Sequence, residues 1–249
     1  MKVKVIQLNI WRGTLLDSAL AFFKEENPDI IFLQEVYDTK LPGMPKTHRL
    51  FSYLEEVLPE YKGAYGAAFT DITELGNIQS GNAIFSKFEI VDSKNTFFDR
   101  PYKTFNEQGV DPDNNPQTIL SVKLNVNGTE LNVSSVHGIW GRDGRDSGRR
   151  LQMGETIISE IKDKKNVILG GDFNLNPDTQ TAKNIQKYLV QIFGNTLTRT
   201  FNLKYKTDGG FKTAVVDMIF VSPNITVVDK KCLDIQVSDH LPLVAELEV

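Results

Sequence analysis

Val167-Ile168-Leu169-Gly170-Gly171-Asp172-Phe173-Asn174-Leu175-Asn176-Pro177 carries the plan of this chain. Its Val-Ile-Leu run has the length and composition of a buried strand, and the two glycines predict a tight turn directly after it. An acid and two amides, Asp172, Asn174 and Asn176, then stand where the strand should end. In layered α/β folds, strand ends and the loops beyond them are where chemistry is mounted. Taken alone, the segment reads equally well as a strand followed by an Asx-rich turn, with Asp172 and Asn174 bonded to their own backbone. The rest of the chain decides between the two.

The same arrangement recurs on both sides. Upstream, Val3 to Ile10 alternates as a first strand with Asn9 at its end. Leu15 to Glu26 has helical spacing (Leu16, Leu20, Phe23) and stops at Asn27-Pro28. Ile30-Ile31-Phe32-Leu33 is a buried strand with Glu35 at its far end, which completes a strand–helix–strand unit. Thr39 to Thr47 is a Pro/Gly loop and Leu50 to Leu58 a short helix. Between Tyr61 and Leu124, short alternating segments separated by turn residues predict a mainly antiparallel sheet. Leu131 to Val136 leads into His137, and Arg149 to Ile161 is an amphipathic helix. Downstream, Asp178 to Phe193 reads as a helix, and Asp217 interrupts the apolar strand Ala214 to Val221. Asp239-His240 immediately precedes the last strand, Leu241 to Val249.

Polar residues thus stand repeatedly where an apolar strand gives out, and a buried charge such as Asp217 is costly unless paired. Convergence on one site is the simplest explanation. Of the three histidines, two, His137 and His240, lie in such places, whereas His48 falls in the Pro/Gly loop and is expected at the surface.

Bulk properties set the frame. With 249 residues, 40% of them hydrophobic, the chain can bury a full core as a single domain over residues 1–249. No apolar run is long enough to span a membrane, and the opening strand pattern is not that of a signal peptide. The one cysteine, Cys232, excludes an intramolecular disulfide and is expected as a small buried hydrophobe. A cytoplasmic monomer is the expectation. A net charge of −4 without any basic block lacks the many Lys and Arg phosphate contacts that gripping duplex DNA requires. That balance shifts weight toward a small or local phosphate-bearing substrate.

Seven short pieces, in order, resemble the endonuclease/exonuclease/phosphatase superfamily, which includes DNase I-like nucleases, abasic-site endonucleases, sphingomyelinases and inositol polyphosphate phosphatases. They are Gln7-Leu8-Asn9-Ile10, Leu33-Gln34-Glu35-Val36, Ser80-Gly81-Asn82-Ala83-Ile84-Phe85-Ser86, Ser135-Val136-His137, Gly170-Gly171-Asp172-Phe173-Asn174, Asp217-Met218-Ile219-Phe220 and Ser238-Asp239-His240-Leu241-Pro242. The resemblance implies an α+β fold, a four-layer α/β sandwich of two central, mainly antiparallel sheets flanked by helices. It also implies a Mg²⁺-dependent phosphoesterase, with Mn²⁺ as an alternative ion, acting on phosphodiesters, nucleic acid among them. The alternative within the class is a phosphatase of small-molecule or lipid-headgroup phosphates. An abasic-site endonuclease is disfavoured, because neither that group's tyrosine motif nor its basic loops are present.

Residue by residue, the resemblance places Glu35 as a hard-oxygen metal ligand, with Asn9 and Asp239 completing the metal neighbourhood. It makes His240 a general base held by Asp217, although the matching aspartate, Asp172, is an alternative base. Asp172 and Asn174 would position the water and the scissile phosphate, and His137 would donate to a phosphate oxygen. DNase I-like members support that histidine with a glutamate; here the region reads Gly81-Asn82-Ala83, so Asn82 is the candidate support. Arg149 and Gln152 match a recurring helix start, where capping and packing are the ordinary role. Trp140 and Arg142 lie where the family varies its substrate contacts. A catalytically silent binding module would be expected to have lost some of Glu35, Asp172, Asn174, Asp239 and His240, and this chain keeps them all.

Overall fold

A computed structural model describes residues 1–206 and 213–249. The first half of the chain forms β1 (Lys2–Asn9), α1 (Leu16–Glu26), β2 (Ile30–Asp38), α2 (Leu50–Val57), β3 (Lys62–Thr73), β4 (Gly76–Ser86), β5 (Glu89–Phe97) and β6 (Thr104–Phe105). The second half adds β7 (Thr118–Val126), β8 (Thr129–His137), α3 (Gly148–Ile161), β9 (Val167–Asp172), α4 (Gln180–Ile185), β10 (Val190–Gln191), β11 (Asp217–Val221), β12 (Thr226–Cys232) and β13 (Leu243–Glu248). Among the described residues, one sheet runs β12-β13-β1-β2-β4-β3-β6 and the other β10-β11-β9-β8-β7-β5. Both are mainly antiparallel, with β1 parallel to β2, β3 to the short β6, and β8 to β9.

Strand periodicity explains the layering. Alternate residues point to opposite faces, so each strand feeds two cores. In β1, Val3 and Val5 enter the layer between the sheets, where Phe32, Leu120, Ile168 and Ile219 also lie. Ile6 and Leu8 face outward against α1 and α2, among Leu20, Phe23 and Leu54. On the far side, Leu169 and Phe220 pack against α3 and α4 through Met153, Ile157 and Ile185. The result is the expected four-layer sandwich. No helix among the described residues is long and apolar enough to cross a membrane.

Several local expectations change. Gly170 and Gly171 make no turn: both lie inside β9. A Cβ on Gly170 would stand 3.0 Å from the Phe32 ring of the facing sheet, and one on Gly171 would strike the Val136 carbonyl oxygen of the neighbouring strand. Their smallness permits close approach, while the chain turns at Asn174, whose φ is 54°. Asp217 begins β11 rather than interrupting it, because Ala214 and Val216 bond through their carbonyls to Thr200 and Phe173, and Val216 N–H to the Thr200 hydroxyl, instead of pairing within the strand. The helix expected over Asp178–Phe193 is confined to α4, since Val190 and Gln191 pair with Val221 and Phe220 at the sheet edge. His48 is half-buried rather than a free surface residue, its ring centroid 6.1 Å from that of Tyr37.

Gly171→Ala should lower stability by about 1–3 kcal/mol through backbone overpacking, whereas Gly109→Ala, with open space around it, should change stability by less than about 0.5 kcal/mol. Urea unfolding of the two variants checks the difference, and equal midpoints would contradict the close-approach role.

Candidate active site

Strand register assembles the first half of the site. His137 at the end of β8 pairs with Asp172 at the end of β9, and Asp172 pairs with Asp217 at the start of β11. Directly opposed residues on neighbouring strands share a face. A histidine and two carboxylates therefore form one row across the sheet. Asp172 Oδ2 lies 3.7 Å from His137 Nε2 and 3.8 Å from His240 Nε2. Asp172 Oδ1 accepts from the Asn174 backbone N–H at 2.9 Å, and Asn174 Nδ2 donates to the Gly138 carbonyl at 3.0 Å. The Asx turn weighed at the outset is thus present, and it is the device that fixes the carboxylate.

The facing sheet supplies the rest. Asn9 Nδ2 donates to both Glu35 Oε1 and Asp172 Oδ2, each at 3.1 Å, so one amide bridges the sheets. Glu35 sits at a bulge in β2, where the pairing with β4 shifts between Leu33 and Val36, and its φ is 56°. The bulge re-aims its carboxylate out of the sheet's alternation. His240 Nδ1 contacts Asp217 Oδ2 at 2.8 Å, with the side chains only 6% and 1% exposed. Segment 200–202 holds both partners: the Thr200 hydroxyl accepts from the Val216 and Asp217 N–H groups, and Leu241 N–H and Asn202 N–H bond across to Thr200 O and Asp239 O. Ser238 Oγ donates to the Asn9 carbonyl at 2.6 Å, which brings Asp239 beside Asn9.

All of Asn9, Glu35, His137, Asp172, Asn174, Asp217, Asp239 and His240 therefore belong to one constellation. Three other candidates stand apart or act differently. Asn82 Nδ2 donates to Thr118 O and Oγ1 and does not orient His137; a buried amide takes the carbonyl that the facing strand offers. Arg142 is 80% exposed near Asp111, and Arg149 bonds Asp99 and the Asp113 carbonyl.

Arg150 is the residue that sequence reasoning passed over. Its guanidinium donates to the carbonyls of Ile139, Arg145 and Asn174, and so clamps the loop after His137 to the loop after Asp172. The signal was its helical phase. Arg150 shares a face with Met153 and Ile157, so a charge stood on the buried side of the helix.

Charge is unevenly compensated. Burial pushes the carboxyls of Asp172 and Asp239 above their ordinary range; His240 opposes both, while Asp217 adds to the first and Glu35 to the second. Burial would also raise Glu35, but Arg12, His137, Asn9 and His240 together hold it low. Burial alone would lower His240, yet Asp217, Asp172 and Asp239 outweigh it and push the imidazole up to about 10.

A divalent metal suits this donor set in one particular way. Among the described residues, no three His, Cys, Asp or Glu close into a cage. Magnesium, however, is commonly bound by one or two carboxylates and retained waters. Glu35, with Asp239 in its field, offers that pair. Asn9, as oriented, donates to the two carboxylates and accepts the Trp11 N–H at Oδ1, so it positions Glu35 and becomes an oxygen ligand only if its amide turns. Beside Glu35 and His137 opens a cleft of ≈ 190 Å³, which Arg12, Glu107, Asn115 and Trp140 also line.

In metal-free protein the His240 imidazole should titrate near pH 10 by NMR, and Asp217→Asn should bring it down toward the ordinary histidine range. Because the folded value lies above the unfolded one, its contribution to stability is complete below about pH 6.5 and is lost as pH rises through about 10. A wild-type midpoint near 6.5 in EDTA would contradict the buried ion pair.

A profile of the Endonuclease/Exonuclease/phosphatase family matches residues 6–240. No curated protein matches the sequence. Among solved structures, the Bacteroides vulgatus endonuclease/exonuclease/phosphatase is similar at a TM-score of 0.72 and 20% identity, covering 100% of this chain and 99% of its own. The Bacteroides thetaiotaomicron mannosyl-6-phosphatase gives 0.74 at 20% identity over 99% and 100%. D. rerio TDP2, complexed with single strand DNA product, gives 0.74 at 17% identity over 100% and 99%. At such identities these likenesses establish the fold, while the profile match over almost the whole length establishes descent: the chain belongs to the endonuclease/exonuclease/phosphatase family.

Proposed function

We propose that this family hydrolase cleaves phosphate esters by attack of water, with a Mg²⁺ or Mn²⁺ ion held at Glu35 and Asp239 beside Asn9. The observation that carries the reading is the position of Asp172: one of its oxygens faces both imidazoles and the Asn9 amide. Few structural needs would gather so many polar groups, from both sheets, around a single buried carboxylate. Phosphoryl transfer, in contrast, asks for groups that orient water, spread charge over phosphoryl oxygens and neutralise the leaving oxygen.

Each residue has a part in that scheme. Asp172 orients the attacking water and takes its proton; its raised affinity for a proton suits it to the task. His240 already holds a proton against Asp217, so its Nε2–H donates to a phosphoryl oxygen as negative charge develops. His137 and Asn174 present further donors to the same phosphoryl group. A divalent ion at Glu35 would supply charge for a phosphoryl oxygen and for the leaving oxygen. This allocation gives the base role to Asp172 rather than to His240 for a simple reason: an imidazolium cannot accept a second proton.

Two substrate classes fit the chemistry. Phosphodiesters, nucleic acid included, are the first. Small-molecule phosphate esters are the second, and the cleft favours them. It is small, and it carries Arg12 and His137 against Glu35 and Glu107, with no lysine along it. A nucleic-acid backbone asks for a basic track instead.

With Mg²⁺, p-nitrophenyl phosphate and bis(p-nitrophenyl) phosphate should both be tried as chromogenic substrates. Hydrolysis of at least one is expected to stop in EDTA and to fall by about 10²–10⁴-fold in His240→Ala and in Asp172→Asn. Turnover indifferent to EDTA and to both substitutions would sink the assignment.

A further inference from the structure

We infer that the cleft beside Glu35 and His137 is a leaving-group subsite for a small polyhydroxylated group, such as a single sugar or polyol, with Glu107 as its specificity-determining residue. The inference rests on the phosphoester-hydrolase reading above. Its starting point is direction. The cleft is lined by Glu35 and His137 but not by Asp172 or His240. In an in-line displacement the attacking and leaving oxygens lie on opposite sides of phosphorus. With water held at Asp172, the leaving group extends toward Glu35 and into this cleft. The water oxygen bonds to phosphorus, its proton goes to Asp172, the ester P–O bond breaks, and the leaving alcohol oxygen takes up a proton from solvent.

Size and lining narrow the class. At ≈ 190 Å³ the cleft is below the range of about 300–1,000 Å³ that drug-sized ligands occupy, which suits a single small group better than a whole nucleotide. Its walls alternate acceptors and donors: Glu107, Asn115, Gln117 and Ser80, with the guanidinium of Arg12. Hydroxyl groups, each both donor and acceptor, match such a surface. Phe69 stacks on Phe105 and is buried, so it cannot serve as a platform for a base; Trp140 gives the cleft its one accessible aromatic side.

Glu107 is the fixed element. Arg12 Nη2 donates to its Oε2 at 2.7 Å, Asn115 Nδ2 to its Oε1 at 3.0 Å, and its own N–H is held by Asp71 Oδ1 at 2.9 Å. A carboxylate has about four acceptor positions; the Tyr37 hydroxyl, 3.5 Å away, is a second donor to Oε2, so capacity for a ligand's hydroxyl remains on Oε1. Asn115, 6% exposed, lines the same wall and holds Glu107 through Nδ2, while its unpartnered Oδ1 is itself buried. Arg12 itself stands in a left-handed backbone, φ 54°, directly after Trp11 at φ 48°. Strain of this kind persists where surrounding structure over-determines a functional position.

The test compares glucose 6-phosphate and mannose 6-phosphate with p-nitrophenyl phosphate, nucleoside 5′-monophosphates and short oligonucleotides, all with Mg²⁺. Wild-type kcat/KM should favour a hexose phosphate over the nucleotides by about 10²-fold or more, and Glu107→Gln should reduce it on the hexose ester at least about tenfold more than on p-nitrophenyl phosphate. Preference for oligonucleotides, or equal losses on both esters, would overturn the subsite. If no ester is hydrolysed, the hydrolase reading has failed. Calorimetry with Mg²⁺ present, where no turnover then interferes, decides the subsite by itself: tighter binding of a hexose 6-phosphate than of inorganic phosphate, weakened by Glu107→Gln, supports it, and equal affinities refute it. Should Glu107→Gln lose its cooperative thermal transition, Trp140→Ala on the half-exposed loop carries the same comparisons.

Discussion

The contact between Asp217 and His240 is the constraint on which the site depends. Asp217 belongs to one sheet and His240 precedes β13 of the other, so their 2.8 Å contact ties the sheets at the end where the chemistry lies. Both side chains are withdrawn from water. Removing either partner would leave an uncompensated buried charge, which costs far more than a surface pair contributes. A second polar tie runs deeper between the sheets. Gln7 and Gln34 exchange amide bonds, Gln34 donates to Ser135, and Gln7 reaches Asp217 Oδ1 at 3.4 Å. An apolar interface tolerates sliding more readily than one containing directional bonds, so these amides set where the sheets stop relative to each other. The row His137–Asp172–Asp217 can then meet Asn9 and Glu35 with little freedom left.

That geometry makes backbone distortion useful. Glu35, Asn174 and the pair Trp11–Arg12 all adopt positive φ without being glycine, at about 1–2 kcal/mol each. Every one adjoins a polar group of the site. A regular β2 would carry Glu35 in strict alternation with its neighbours; the bulge places its carboxylate beside Asn9 instead. A regular exit from β1 would carry the chain away, whereas the left-handed turn folds Arg12 back over Tyr37, 5.1 Å from its ring, and alongside Glu35. Arg150 holds the opposite rim by bonding three loop carbonyls. The fold's stability is in this sense partly committed to holding side chains where isolated segments would not leave them.

Much of the fold was legible because periodicity reports layers directly. Apolar alternation in Val3–Ile6 and the buried run Ile30–Leu33 place two central strands without ambiguity. The polar residues of the site were legible for the same reason, since each violates an apolar pattern at a strand end. What pattern could not supply was register and pairing. Gly170-Gly171 looks like a turn because glycine serves turns and close approach equally, and only the position of Phe32 and Val136 tells them apart. Val190-Gln191 continues a helical stretch locally but is drawn to the free edge of β11. Glu107 was invisible, lying between residues 98 and 117 where no periodicity exists, with Asn115 from the same stretch and its other partners, Arg12 and Asp71, from two distant places in the sequence.

The distribution of charge sets what such a site would accept. Glu35, Asp172, Asp217 and Asp239 concentrate negative charge between the sheets, against which the chain sets the His240 imidazolium and, at the rim, Arg12. Asp172 and Asp239 are consequently held as reluctant anions. A phosphate ester approaching this arrangement meets repulsion unless a cation near Glu35 and Asp239 balances it, so anion and divalent cation are expected to favour each other's binding. Arg12 joins the two halves of that argument. Its guanidinium lies 3.8 Å from Glu35 and 2.7 Å from Glu107, so charge placed on the carboxylate side alters what holds the cleft side. On the proposed reading, recognition of the leaving group and assembly of the reacting centre would share this one side chain, so a change at either would be felt by the other.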